Sequence, residues 1–215
     1  MRRIVGLALL LVGVAVAPAL ADFIDGPYTT TAPIPATLTD WNQPLPFPKF
    51  NTMGGTRTLT KVQLDLSASI DTIIMLENLA TDGSSGTVRT ECLFTVQDAG
   101  GNLSAPEIDL IAPVPPYAYT LAAGQSLSSP LFTRTGTSSN PYTAAAVLLE
   151  FTGSGSISLR GSTFTTTLLS NTGGNTAADQ VTHGALTGTV TYTYTPEPTS
   201  LSLLAAGALA LLRRR

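Results

Sequence analysis

The stretch from Lys61 to Ile70 constrains the fold more than any other part of the chain. Val62, Leu64, Leu66, Ala68 and Ile70 alternate without a break with Lys61, Gln63, Asp65, Ser67 and Ser69. A strict period of two puts one set on a buried face and the other in water, so this segment is a half-buried strand. The alternation returns at Thr87–Gln97, where Val88, Cys92, Phe94 and Val96 share a face with Thr90. It returns again where Val190, Tyr192 and Tyr194 alternate with Thr189, Thr191 and Thr193. Ile73–Leu76 and Ala144–Phe151 are nearly continuous apolar runs and predict central strands covered on both sides. Glu107–Ile111, Tyr117–Leu121, Leu131–Arg134 and Ser156–Leu169 are weaker strands, the last either one strand bulged at Gly161 or two.

Turn chemistry separates these runs. Asp82-Gly83-Ser84-Ser85-Gly86 reads as a hairpin loop, and Asp98-Ala99-Gly100-Gly101-Asn102 as another. Pro113 to Pro116 should break the chain between two weak strands, and Ser170 to Thr182 reads as a Gly/Asn/Thr loop. Leu38 to Gly55 is a long lead-in. Thr and Ser are abundant and Lys is scarce, as in an extracellular β-domain, because Thr suits a pleated surface. The expected fold is all-β: a single antiparallel β-sandwich of roughly eight to ten strands. A closed barrel is the second arrangement. No repeat of fixed period points to a propeller or solenoid.

Both ends of the chain read as addresses rather than as fold. Arg2-Arg3, the apolar stretch Ile4 to Ala17 and Ala19-Leu20-Ala21 have the layout of a signal-peptide helix for the Sec export machinery, over residues 1–21. Cleavage after Ala21 leaves Asp22 as the first residue of the mature chain. At the other end Pro196-Glu197-Pro198 precedes an apolar run, Leu201 to Leu212, and then Arg213-Arg214-Arg215. The prolines fix φ and remove two N–H donors, so the motif should be extended and outside any sheet ladder. A helix over 201–212 is about 18 Å long at roughly 1.5 Å per residue, short of a bilayer core of about 30 Å. The arginines supply a cytoplasmic stop.

These three parts in this order resemble the PEP-CTERM sorting signal of Gram-negative bacteria, over Thr195 to Arg215. The resemblance implies that an exosortase reads Pro196, Glu197 and Pro198. It also implies a hydrophobic sorting helix, a transient inner-membrane intermediate, and a destination in the cell envelope or extracellular matrix. Glu197, the lone charge of the motif, is the handle expected to meet a basic group of the enzyme.

Between the tags, residues 22–195 have the length of one domain. They carry six basic and thirteen acidic residues, a formal charge of −7 against −3 for the whole chain. That balance disfavours nucleic acid or a polyanionic polysaccharide as an electrostatic partner. A second resemblance covers nearly all of this region. Leu45-Pro46-Phe47-Pro48-Lys49-Phe50, the turn at Gly54-Gly55, and Leu59-Thr60-Lys61-Val62 entering the long strand look like the choice-of-anchor E domain. Glu77-Asn78-Leu79 and Gly188-Thr189-Val190-Thr191-Tyr192-Thr193-Tyr194 fit its later phrases. The spacing departs from that pattern by two extra residues between Gly55-Thr56 and Leu59-Thr60. The family brings no catalytic residues.

Catalytic chemistry is sparse. Cys92 is the only cysteine and lies on an apolar strand face, a buried thiol rather than a nucleophile. His183 is the only histidine and falls in an expected loop, with no Gly-x-Ser-x-Gly elbow to serve. Asp65 with Asp71, and Glu107 with Asp109, are strand carboxylates that normally face water. Asp98 with Asn102, and Asp82 near Ser84, offer calcium ligands, but turn formation explains both. Tyr117 with Tyr119 and Tyr192 with Tyr194 share faces, and Trp41 is the candidate glycan contact. No cofactor and no metal site are implied. The expected molecule is a non-enzymatic exported protein associated with exopolysaccharide. A carbohydrate-binding sandwich is the alternative and a secreted hydrolase the remote one.

Overall fold

The computed structural model describes residues 22–30, 33–103 and 106–197. Residues 1–21, expected to be a signal peptide, Pro198 and the 201–212 segment lie outside these. The described chain runs β1 (Phe23–Thr29), β2 (Ile34–Leu38), β3 (Asn42–Pro48), β4 (Arg57–Asn78), β5 (Ser84–Gln97), β6 (Glu107–Leu121), β7 (Ser126–Ser128), β8 (Phe132–Tyr142), α1 (Ala145–Phe151), β9 (Ser156–Gly173) and β10 (Thr176–Pro196). The fold is all-β with antiparallel sheets, and the two sheets bury a common core. One sheet has the order β1-β10-β4-β7, with β2 also on β10 and β8 also on β4. The other has the order β3-β9-β5-β6.

β4 is 22 residues long, and its alternation continues beyond the segment read from the sequence, from Val62 to Asn78, after a break at Thr60 and Lys61 where the register with β10 shifts. Val62, Leu64, Leu66, Ala68 and Ile70 face inward with Leu186, Val190 and Tyr192 of β10. They meet Leu45, Phe47, Cys92, Phe94, Val96 and Leu159 from the other sheet. Burying side chains of this size contributes roughly 1.5–3 kcal/mol each. A second, smaller cluster of Ile74, Leu76, Val88, Tyr119 and Leu121 fills the far end. Between the clusters lies a buried hydroxyl belt. Thr72 Oγ1 is 2.7 Å from Thr182 Oγ1 and 3.2 Å from Thr90 Oγ1, and Thr90 donates to Gln180 Oε1 at 2.6 Å. Because every member has a partner, the belt joins the sheets without stranding a polar group.

Four expectations are corrected. Ala144–Phe151 is not a central strand but yields α1, with Val147 and Phe151 buried one turn apart and Leu149 in water. A short apolar run does not distinguish the two states, and Ala, Leu and Glu favour the helix. Pro113–Pro116 does not end the strand, since β6 continues to Leu121, but it does interrupt the pairing: Ala112 is opposite Thr90 and Tyr117 opposite Val88, so the four residues bulge out of the ladder. β6 is an edge strand, where such a bulge and missing N–H groups are tolerated. Ser170–Thr182 is not a loop: β9 and β10 run through it and turn at Gly173 and Gly174, both at positive φ. Its inward residues Thr176 and Thr182 are held by hydroxyl pairs instead of apolar contact. Finally, the Asp82–Gly86 segment is no hairpin, since β4 and β5 lie in different sheets.

Candidate functional site

Pro196-Glu197-Pro198, the expected sorting motif, begins where the last strand ends. β10 enters its last turn of pleat with Tyr194, whose ring stacks on Phe23 of β1 at 5.8 Å and tilts against Phe50 at 5.4 Å. The Arg57 guanidinium sits over the same ring, 4.9 Å from its centre. Pro196 is opposite Arg57 in the ladder, and the Glu197 N–H donates to the Thr56 carbonyl at 2.8 Å. The expectation that the motif stays outside any ladder is therefore corrected for Pro196. A proline at the last ladder position gives up only a terminal donor. Thr56 belongs to a tight turn in which Gly55 and Arg57 both donate to the Thr52 carbonyl at 3.1 Å. Thr56 Oγ1 closes it on the Met53 carbonyl.

Phe23 pairs with Tyr194 in antiparallel register, so Asp22 and Glu197 leave the sandwich at the same end. Asp22 and the Glu197 side chain are exposed. Pro198, Ala19, Ala21 and Arg213, Arg214 and Arg215 lie outside the described residues.

Near this end is a carboxylate pair that sequence reading missed as a pair. Asp98 accepts the Asn102 and Leu103 amides at 2.9 Å each, and Asn102 Nδ2 donates to Glu150 of α1. Burial works against the Asp98 charge, but the two amides and Glu150 outweigh it and hold its pKa below the usual carboxylate range. Glu150 moves up, because desolvation and the Asp98 charge outweigh the Asn102 amide. The pair fastens the β5–β6 loop to the helix. Asp98 and Asn102, weighed as calcium ligands, are thus engaged in closing their own loop. Among the described residues no three His, Cys, Asp or Glu side chains gather as a metal set.

The other candidates scatter. Cys92 is fully buried, accepts a hydrogen bond from Thr165 Oγ1 at 3.4 Å, and burial pushes its thiol up to about 11. His183 lies in β10, not in a loop, opposite Leu38 and Asp71. Asp65 and Asp71 share the outer face of β4, where Asp65 accepts from Ser139 at 2.5 Å and from Gln63 at 3.3 Å. Glu107 and Asp109 point outward along β6. Tyr192 is buried and donates to the Pro48 carbonyl at 2.6 Å, and Tyr119 is buried against Asn171. Trp41 is buried too, edge-on to Phe94 at 6.0 Å, and its Nε1 has no hydrogen-bond partner among the described residues. Its ring serves the core.

No protein-family model matches the chain, and no curated protein sequence does. Among solved structures it is similar to an infectious bursal disease virus Gx strain chain, at 13% identity and a TM-score of 0.21, covering 78% of this chain and 38% of that one. The T13 particle of the same virus gives 14% identity and a TM-score of 0.19, covering 91% and 44%. The chain spans less than half the length of either. Likeness at this level bears on neither fold nor function. Among the described residues no helix is long and apolar enough to cross a membrane.

Proposed function

We propose that this chain is a non-enzymatic exported protein of a Gram-negative envelope or extracellular matrix. An exosortase would release it at Pro196-Glu197-Pro198 after Sec export and a transient stay in the inner membrane. One observation carries the reading: the rigid motif, the apolar run Leu201–Leu212 and the triple arginine follow one another directly after the last strand ends at Pro196. The last described strand is complete at Pro196, so a cut after the motif would take away none of the described strands. Burial of Cys92, with its thiol pushed up to about 11, supports a body that does not use this thiol for covalent catalysis.

The test is intact mass of the protein recovered from inner membrane, outer envelope and medium. A species starting at Asp22 and ending near Thr195–Pro198, found in the outer fractions, is the expected result. A species retaining Leu201–Arg215 and confined to the inner membrane overturns processing and leaves a tail-anchored domain.

A further inference from the structure

The second half of β9 forms an open sheet edge. β3 pairs with β9 only over Ser156–Ser162. Just beyond, the Thr163 N–H donates to the Trp41 carbonyl at 3.1 Å and the Thr165 N–H to Asp40 Oδ1 at 2.9 Å. Pairing of β9 with β5 continues to Gly173 without a shift of register, so the direction of the backbone groups alternates regularly along this stretch. The N–H and C=O groups of Thr167, Leu169 and Asn171 therefore point out of the same edge as those of Thr163 and Thr165. Among the described residues no protein group meets them.

An open strand edge is a template for another strand, and the remaining edges are blunted against it. β1, β2, β3, β6 and β8 each contain proline, and β7 has only 3 residues. The unpaired start of β10 carries Asp179, whose carboxylate accepts the Gln180 N–H at 2.8 Å. Thr165 to Gly173 differs from all of these, reading Thr-Thr-Thr-Leu-Leu-Ser-Asn-Thr-Gly with no proline and no charge. Its threonines and leucines suit a strand. The Leu169 side chain packs on the cluster of Ile74, Leu76, Val88, Tyr119 and Leu121, yet it stays half-buried at the open edge.

We propose that this edge pairs with the same edge of a second copy of the chain, antiparallel about a two-fold axis at Leu169. In that register Thr167 faces Asn171 of the other copy and Leu169 faces its own counterpart. Each of these is a hydrogen-bonded pair, so every open N–H and C=O of Thr167, Leu169 and Asn171 gains a partner. Two observations favour a second copy over an unrelated strand. The paired segments carry no charge, so the two-fold sets no like charges opposite each other although each body carries a formal −7. The two Leu169 side chains also cover one another at the place where each cluster is open. Such a contact uses up both edges, so assembly closes at the dimer.

Sedimentation velocity of the full-length protein in density-matched non-ionic detergent, over a range of concentrations, tests the pairing together with disulfide trapping. The unaltered chain should show a reversible monomer–dimer equilibrium. Thr167→Pro removes an outward donor and spares the β5 side, so it should raise the dimer dissociation constant at least tenfold. Ile24→Lys, on an exposed position of β1, should leave that constant unchanged. A cooperative thermal transition in each variant shows that it folds. Mixed copies carrying Leu168→Cys and Ser170→Cys should give a disulfide-linked dimer on mild oxidation, because 168 and 170 face each other in a close, non-hydrogen-bonded pair. Copies carrying Ile24→Cys should not, and Cys92 is too deeply buried to take part. A monomer at every concentration, a folded Thr167→Pro variant that dimerises as strongly as the unaltered chain, or no trapping of 168 with 170 above the Ile24 control each overturns the assignment. None of these readouts depends on export or tag processing.

Discussion

Removing the guanidinium that lies over Tyr194 should speed processing at the sorting motif. Pro196 is paired with Arg57 and the Glu197 amide is bonded to Thr56, so an enzyme that grips the motif as an extended peptide must first detach the end of β10. Strand ends open at low free energy, and when opening is fast the reaction rate follows the open population. Arg57→Ala deletes a cation–π contact at 4.9 Å, worth ~0.5–1 kcal/mol at an exposed site. With about 1.4 kcal/mol per tenfold, the open population rises about two- to fivefold. Backbone pairing of residue 57 is kept, so the rest of the sandwich is undisturbed. Pulse-chase labelling in cells, resolving the unprocessed from the shortened chain, reads the rate directly. A four-residue Gly-Ser spacer between Thr195 and Pro196 detaches the motif outright and should accelerate processing further. Unchanged or slower processing in both variants would refute the clamp and mean that the enzyme reads the motif as it lies on the sandwich.

Three further outcomes follow from the packing. Gly86→Ala should prevent accumulation of folded protein or lower the unfolding midpoint sharply, since its Cβ would meet the Ser170 carbonyl oxygen at 1.9 Å; soluble yield and a denaturant titration measure it. Cys92 should resist alkylation at pH 8 in the native chain and react at once in denaturant, because its thiol titrates near 11 and is fully buried. Asp98 has a depressed pKa, so its contribution is present above the ordinary carboxylate range and lost as pH falls through its lower folded value. Asp98→Asn should accordingly cost about 1–3 kcal/mol at pH 7 and less in acid, a difference that denaturant midpoints at pH 7 and pH 3 would show.

How much was legible in the sequence depends on which interaction fixed each element. β4, β5 and the end of β10 were readable because apolar side chains alternate there and nothing competes with that signal. β3 was hidden by Pro44, Pro46 and Pro48, yet alternate prolines at an edge leave the Leu45 and Phe47 positions free for the ladder on β9. The start of β10 was hidden because its inward contacts are hydroxyl pairs, which no hydrophobic period reports. α1 was misread because seven apolar-rich residues satisfy either period. At the site, the attachment of Pro196 and Glu197 to Arg57 and Thr56 was not legible, since that depends on register with a strand well over a hundred residues away. Asp98 was visible as a turn residue, but its partner Glu150 came from a helix that the pattern had assigned to a strand.

The register of β1 on β10 has a consequence for how the body is presented. Phe23 opposite Tyr194 puts Asp22 and Glu197 at one pole of the sandwich, so a body still carrying the C-terminal apolar run would be tethered at that pole. β4 is 22 residues long, about 70 Å if straight at roughly 3.3 Å per residue, and runs away from that pole. A body tethered through its C-terminal segment would then carry the cluster of Ile74, Leu76, Val88, Tyr119 and Leu121 at the pole away from the tether. Neither core cluster uses a residue beyond Tyr194, so cutting the chain after Pro198 should leave the denaturant midpoint unchanged, and a lower midpoint in the shortened chain would show that the tail packs on the sandwich.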